Sequence, residues 1–204
     1  MRKAILVTKE ASENILSRYL DCEIIGLDEG IDVARSVGAK ITLAVSSFEN
    51  VSLQHVLSFL PKDKVVKYID DNKEAPYLKV CNFLFSQGYE EIIILGDFLS
   101  RFDRIHGILL TLKNAKGFVS FQNEENLVSY YSKGSHIINK QDYSSLYVIG
   151  FPYAVISMEH VEKPIKNMKL DFTTDKALEN SILERVAVLK VNEGGVLLAL
   201  CKDE

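Results

Sequence analysis

Along the first half of the chain, short apolar runs alternate with amphipathic segments of helical length. Residues 4–7 (Ala-Ile-Leu-Val), 23–27, 41–45, 65–68 and 92–95 (Ile-Ile-Ile-Leu) are brief and rich in β-branched side chains. Such runs suit strands covered on both faces of a sheet. Between them, residues 12–19, 31–37, 53–59 and 76–87 carry apolar positions at helical spacing. Gly38 and Gly88 mark helix ends, and Pro61 closes the segment before it. A helix over 102–112 and a strand over 117–121 complete the series. Strands alternating with helices predict a doubly wound parallel α/β sheet.

The pattern changes near Asn123. Helical periodicity gives way to β-rich runs at 127–131, 136–138, 146–151, 155–158, 185–191 and 196–200. Turn signals separate them at Ser132-Lys-Gly134, Phe151-Pro152 and Asn192-Glu-Gly-Gly195. This predicts two domains, an α/β domain over 1–123 and a smaller all-β sandwich over 124–204.

Composition narrows the function. The chain has 204 residues, 47% of them hydrophobic, enough for a substantial core, and a formal net charge of −4. That charge argues against a general nucleic-acid binder. Cys22, Cys81 and Cys201 show neither paired nor Cys-x-x-Cys spacing, so a disulfide framework or zinc ribbon is not expected and a reducing, cytoplasmic setting fits. The basic start at Arg2-Lys3 leads into an apolar run that ends at Thr8, too short for a signal or membrane segment. The four histidines are scattered, and no Gly-x-Ser-x-Gly elbow supports hydrolase chemistry.

Candidate chemistry collects just past strand ends, where open α/β sheets bind ligands. After the run at 92–95, Gly96 is followed by Asp97, Arg101 and Asp103, an arginine and carboxylates able to hold phosphate and a metal. The same spacing suits a salt-bridged surface loop. Asp28-Glu-Gly30 follows the second strand and also reads as a turn; Glu49-Asn50 and Lys73-Glu74 equally suit helix starts.

The order of these parts resembles the thiamine pyrophosphokinases. Asp28-Glu-Gly30 is similar to that family's Asp-x-Gly, and Ser46-Ser-Phe-Glu-Asn50 stands where it has Gly-Asp-Phe-Asp-Ser. Lys73-Glu-Ala-Pro-Tyr77 takes the place of Lys-Asp-x-Thr-Asp, and residues 96–104 match Gly-x-x-Gly-Gly-Arg-x-Asp-His at Gly96, Arg101 and Asp103. Glu179-Asn-Ser181 shares Asn180 with a C-terminal Ser-Asn-Glu. The resemblance implies transfer of a pyrophosphoryl group from ATP to thiamine with Mg2+, in a homodimer that builds its thiamine site between subunits.

Carried over position by position, it implies Asp28, Lys73, Arg101 and Asp103 as catalytic residues. It assigns Gly30, Gly96, Arg101 and Asn180 to the nucleotide or thiamine-like ligand, and Glu49, Glu74 and Asp97 to the metal. Ser47 and Tyr77 occupy positions where the family has metal-binding aspartates, which implies weak or lost activity. The alternatives are a non-catalytic nucleotide or thiamine-like ligand binder, with no bound cofactor, and a structural homodimer.

Overall fold

A computed structural model describes residues 2–69, 75–96, 102–171 and 178–202. They form two compact units, Met1–Glu124 and Glu125–Glu204. In the first unit, six parallel strands stand in the order β6-β5-β1-β2-β3-β4. These are β1 (Lys3–Val7), β2 (Glu23–Leu27), β3 (Ile41–Ser46), β4 (Val65–Lys67), β5 (Glu91–Leu95) and β6 (Phe118–Gln122). Helices α1 (Glu13–Ser17), α2 (Gly30–Ser36), α3 (Leu53–Leu57), α4 (Pro76–Ser86) and α5 (Phe102–Asn114) fall between them, with a 3-10 turn at Lys62–Lys64.

The apolar runs are strands because both faces are covered. Ile5, Val7, Ile24, Ile93 and Leu95 share a core with Ile15 and Leu16 of α1, Ile31 and Ala34 of α2 and Val56 of α3. Alternate strand residues Leu6, Ile25, Ile92 and Ile94 are buried too, and α4 and α5 supply Leu78, Cys81, Leu84, Ile108 and Leu112. Burial pushes the Cys81 thiol well above its ordinary range, so it acts as a small apolar core residue. Ser12 and Ser52 cap α1 and α3 by accepting from the backbone N–H three residues on. Both helices are shorter than their periodicity predicts, ending at Ser17 and Leu57.

The chain runs outward from β1 through β2 and β3 to β4, then returns past β1 to place β5 on its other side. The winding therefore reverses between β1 and β5, and at such a switch point the strand-end loops diverge.

The second unit is built from long strands: β7 (Asn126–Asn139), β8 (Ser145–Glu159), β9 (Ile165–Asp171), β10 (Leu178–Asn180) and β11 (Val186–Cys201). All pairings among them are antiparallel, with β11 between β7 and β8. The sequence predicts two short strands where each of β7, β8 and β11 is continuous. Ser132-Lys-Gly134 is thus not a turn: Ser132 pairs with Gly195 and Gly134 with Val191 inside the ladder. The register shifts cluster at residues 191–196 of β11, with the extra residues on β11 against β7 and on both strands against β8. Buried residues from both halves of these strands, including Leu127, Ile138, Val148, Ile156, Leu189 and Leu198, belong to one apolar cluster. Among the described residues, no helix is long and apolar enough to cross a membrane.

Candidate functional site

A cavity of about 680 Å³ opens at the carboxyl ends of the parallel strands, within the size range of small-molecule sites. Every loop leaving β1 to β4 contributes to it, together with the first turns of α4 and α5.

On the β1 side, Thr8 fastens the strand end to β5. Its N–H donates to the Leu95 carbonyl at 3.1 Å, and its hydroxyl lies 2.9 Å from the same oxygen. Glu10 follows and accepts a hydrogen bond from the Arg104 guanidinium of α5. Burial alone raises the carboxyl pKa of Glu10, but Arg104 outweighs it and holds Glu10 below the ordinary carboxylate range. The pair therefore presents a fixed guanidinium at the cavity wall.

Asp28 organises the opposite side. Its backbone is left-handed (φ 48°), a conformation that aspartate tolerates, and its N–H extends the sheet by donating to the Val45 carbonyl at 3.0 Å. The Ser46 hydroxyl (2.8 Å) and the Ser47 N–H (3.1 Å) both donate to its Oδ1. The Tyr68 hydroxyl donates to Oδ2 at 2.8 Å. One carboxylate thereby ties together the chain leaving β2, β3 and β4. Ser46 is fully buried, and its oxygen accepts from the Phe48 N–H at 2.9 Å.

Gly30 and Gly96 are required by space. A β-carbon on Gly30 would lie 2.0 Å from the Val7 carbonyl oxygen, so α2 starts against the end of β1 only without a side chain. One on Gly96 would lie 2.3 Å from the Thr8 hydroxyl oxygen.

Tyr77 enters the cavity from the first turn of α4. Its ring meets Phe121 edge-on, with centroids 5.5 Å apart. Burial, reinforced by the charges of Glu10 and Asp28 and opposed by Arg104, raises its pKa, so the phenol is neutral at physiological pH. A neutral phenol is a hydrogen-bond donor and a poor ligand for a hard cation.

The other sequence-derived candidates divide. Glu49 lies exposed in the turn after β3, and its neighbour Asn50 lines the cavity instead. Lys73, Glu74, Asp97 and Arg101 lie outside the described residues; Asp103 is described only by its backbone, in the first turn of α5. Asn180, in the second unit, is buried and accepts from the Lys163 and Ser181 N–H groups at 2.9 and 3.0 Å. It also donates to the Lys163 carbonyl at 2.8 Å, so its amide fastens β10 to the chain at Lys163. Among the described residues, no group of three or more His, Cys, Asp or Glu side chains is placed to hold a metal. The described carboxylates therefore do not fit a magnesium ion: Asp28 is held by three donors and Glu10 by Arg104.

Sequence reasoning misses Glu10, Ser46 and Tyr68, and it treats Arg104 only as a departure from a motif. Their shared signal is position, since Glu10, Ser46 and Tyr68 sit at or within three residues of a strand's carboxyl end.

No protein-family model matches the sequence, and no curated protein does. Solved structures do. Thiamine pyrophosphokinase from Bacillus subtilis aligns over 100% of both chains at a TM-score of 0.83 with 15% identity. The enzyme from Geobacillus thermodenitrificans aligns over 100% of this chain and 99% of its own, at 0.81 and 15%. Thiamin pyrophosphokinase from Candida albicans aligns over 99% of this chain and 89% of its own, at 0.71 and 11%. The chain has the thiamine pyrophosphokinase fold. At 11–15% identity, this likeness to thiamine pyrophosphokinase structures is one of fold.

Proposed function

We propose that this chain is a thiamine pyrophosphokinase-like protein that binds a nucleotide across its strand ends and transfers pyrophosphate slowly, if at all. The observation that carries this reading is Tyr77. It is a neutral phenol seated against Phe121 inside the switch-point cavity, at a position where the family motif has a metal-binding aspartate. The resemblance of the four motifs and the likeness to solved pyrophosphokinases support ATP as the nucleotide and thiamine, or a similar molecule, as the acceptor.

In this reading Arg104, steadied by Glu10, contacts the polyphosphate, and Arg101 and Lys73 add cationic contacts from the motif positions. Asp28 shapes the wall rather than the reacting atoms, because its lone pairs serve Ser46, Ser47 and Tyr68. Glu49, Glu74, Asp97 and Asp103 are the carboxylates that would have to supply a metal site. The acceptor site is completed by a second copy of the chain.

The test is formation of thiamine diphosphate from ATP, Mg2+ and thiamine, paired with calorimetric titration of ATP. Binding with a turnover far below ordinary kinase rates of about 1–100 s⁻¹ supports the reading. Turnover within that range would refute it, as would failure to bind ATP.

A further inference from the structure

The two ends of the switch-point cavity are chemically unlike. Tyr68 follows β4 and Arg104 stands in the helix after β5, and the order β5-β1-β2-β3-β4 separates those strands by four inter-strand steps. At the backbone this is a span of about 19 Å. Tyr77 lines the same cavity from the first turn of α4.

At the β4 end, the Tyr68 ring is oriented by its hydrogen bond to Asp28, which is itself fixed by Ser46 and the Ser47 N–H. A ring held this way meets a planar ligand without losing rotamer freedom, the condition under which aromatic stacking contributes most. At the α5 end, Glu10 aims the Arg104 guanidinium. The Tyr77 hydroxyl makes no hydrogen bond among the described residues, while its ring is anchored on Phe121. Its neutrality leaves it a donor.

From this juxtaposition we infer that the cavity takes a metal-free aromatic anion of the nucleoside diphosphate class. Its ring stacks on Tyr68, and its phosphates are met by the Tyr77 hydroxyl and Arg104. Asp28 is then a positioning residue, acting on the ligand through Tyr68. The inference rests on nucleotide binding as proposed above and goes beyond it in naming the ring platform and in dispensing with the metal.

The experiment is calorimetry on the full chain with ADP, adenosine and inorganic pyrophosphate, each in EDTA and in Mg2+. Tyr68→Ala, Tyr68→Phe and Tyr77→Phe are compared with the parent after a melting curve shows each to be folded. The parent is expected to bind ADP in EDTA about as well as in Mg2+. Tyr68→Ala should weaken ADP and adenosine roughly tenfold or more, the scale of one base–aromatic stack, and leave pyrophosphate unchanged. Tyr68→Phe, which keeps the ring but frees it from Asp28, should bind ADP more weakly than the parent and more tightly than Tyr68→Ala. Tyr77→Phe should weaken ADP and pyrophosphate together and spare adenosine.

ADP binding seen only with Mg2+ would overturn the inference while leaving the proposed function standing. Equal losses of ADP and pyrophosphate in Tyr68→Ala would also overturn it, since they would mark a collapsed loop rather than a lost ring. Absence of ADP binding in both buffers would sink both.

Discussion

Gly30 and the carbonyl of Val7 meet so closely that a β-carbon on the glycine would lie 2.0 Å from the oxygen and 2.6 Å from the carbonyl carbon. Both contacts are to backbone, so no side chain can swing aside. Gly30→Ala is therefore expected to destabilise the protein by about 1–3 kcal/mol through overpacking at the first turn of α2. Gly107, inside α5, is the control. A β-carbon there meets only the Ala75 side chain, at 3.9 Å, and Gly107→Ala should stabilise by about 0.5–1 kcal/mol. Urea midpoints moving in opposite directions at unchanged m-value check both. A neutral Gly30→Ala would mean that α2 does not press on β1.

Asp28 accepts three hydrogen bonds at the cavity wall. Asp28→Ala strands the hydroxyl of Ser46, which is fully buried, and releases that of Tyr68. The expected loss is about 1.5–3 kcal/mol, the range for hydrogen bonds to a charged group. Tyr68→Phe removes one of the same bonds and should cost about 1 kcal/mol. Because the two are partners in one hydrogen bond, the double variant Asp28→Ala with Tyr68→Phe should cost less than the sum. Strict additivity in chemical denaturation would show that the Asp28 to Tyr68 bond contributes nothing.

The fold's parallel unit was legible because its strands are buried on both faces: residues 4–7 and 92–95 have no polar position to obscure them. The all-β half was harder. A bulged ladder permits polar, exposed residues and a glycine inside one strand, so β7 looks like two strands joined by a turn. β9 escaped notice because only Ile165 and Leu170 among its seven residues are buried. At the site, Asp28 and Gly30 stand out as a compact motif. Glu10, Tyr68 and Arg104 do not, since each is a lone residue after its own strand and they come to line one cavity only through the winding of the sheet.

Acid should expose a second cluster, at the amino ends of the strands. Arg2 forks onto Glu23 with Nε–Oε1 and Nη2–Oε2 distances of 2.9 and 2.8 Å, and the Tyr89 hydroxyl donates to the same carboxylate at 2.7 Å. The Arg2 hydrogen bond, working against burial, holds the Glu23 carboxyl down to about 2 from an ordinary 4.5. A depressed carboxyl contributes stability that is complete above its unfolded value and is lost as pH falls through the folded one. The window is therefore pH 4.5 down to about 2. Both side chains are more than a third exposed, so the effect is modest and screened by salt. Melting temperature should fall less steeply between pH 5 and pH 2 in Glu23→Gln than in the parent, and added salt should shrink the difference. Parallel curves would assign the acid limb to other carboxylates.

The chemistry itself is tested by putting carboxylates back. Ser47 donates its N–H to Asp28, so an aspartate side chain at 47 would stand beside an existing carboxylate; one at 77 would replace the phenol between Glu10, Asp28 and Arg104. If lost metal-positioning groups are what slows the reaction, Ser47→Asp with Tyr77→Asp should raise thiamine diphosphate formation by about 10²–10³ for each restored contact. The gain should require Mg2+ and disappear on chelation. Removing the Tyr77 ring from Phe121 also costs packing, on the order of 3 kcal/mol, so the double variant is to be compared with Ser47→Ala plus Tyr77→Ala at a temperature where both are folded. A folded double aspartate variant no faster than the alanine pair would show that the phenol did not displace a metal site. The cavity would then have to be read as a binding site in its own right, with no pyrophosphokinase chemistry to recover.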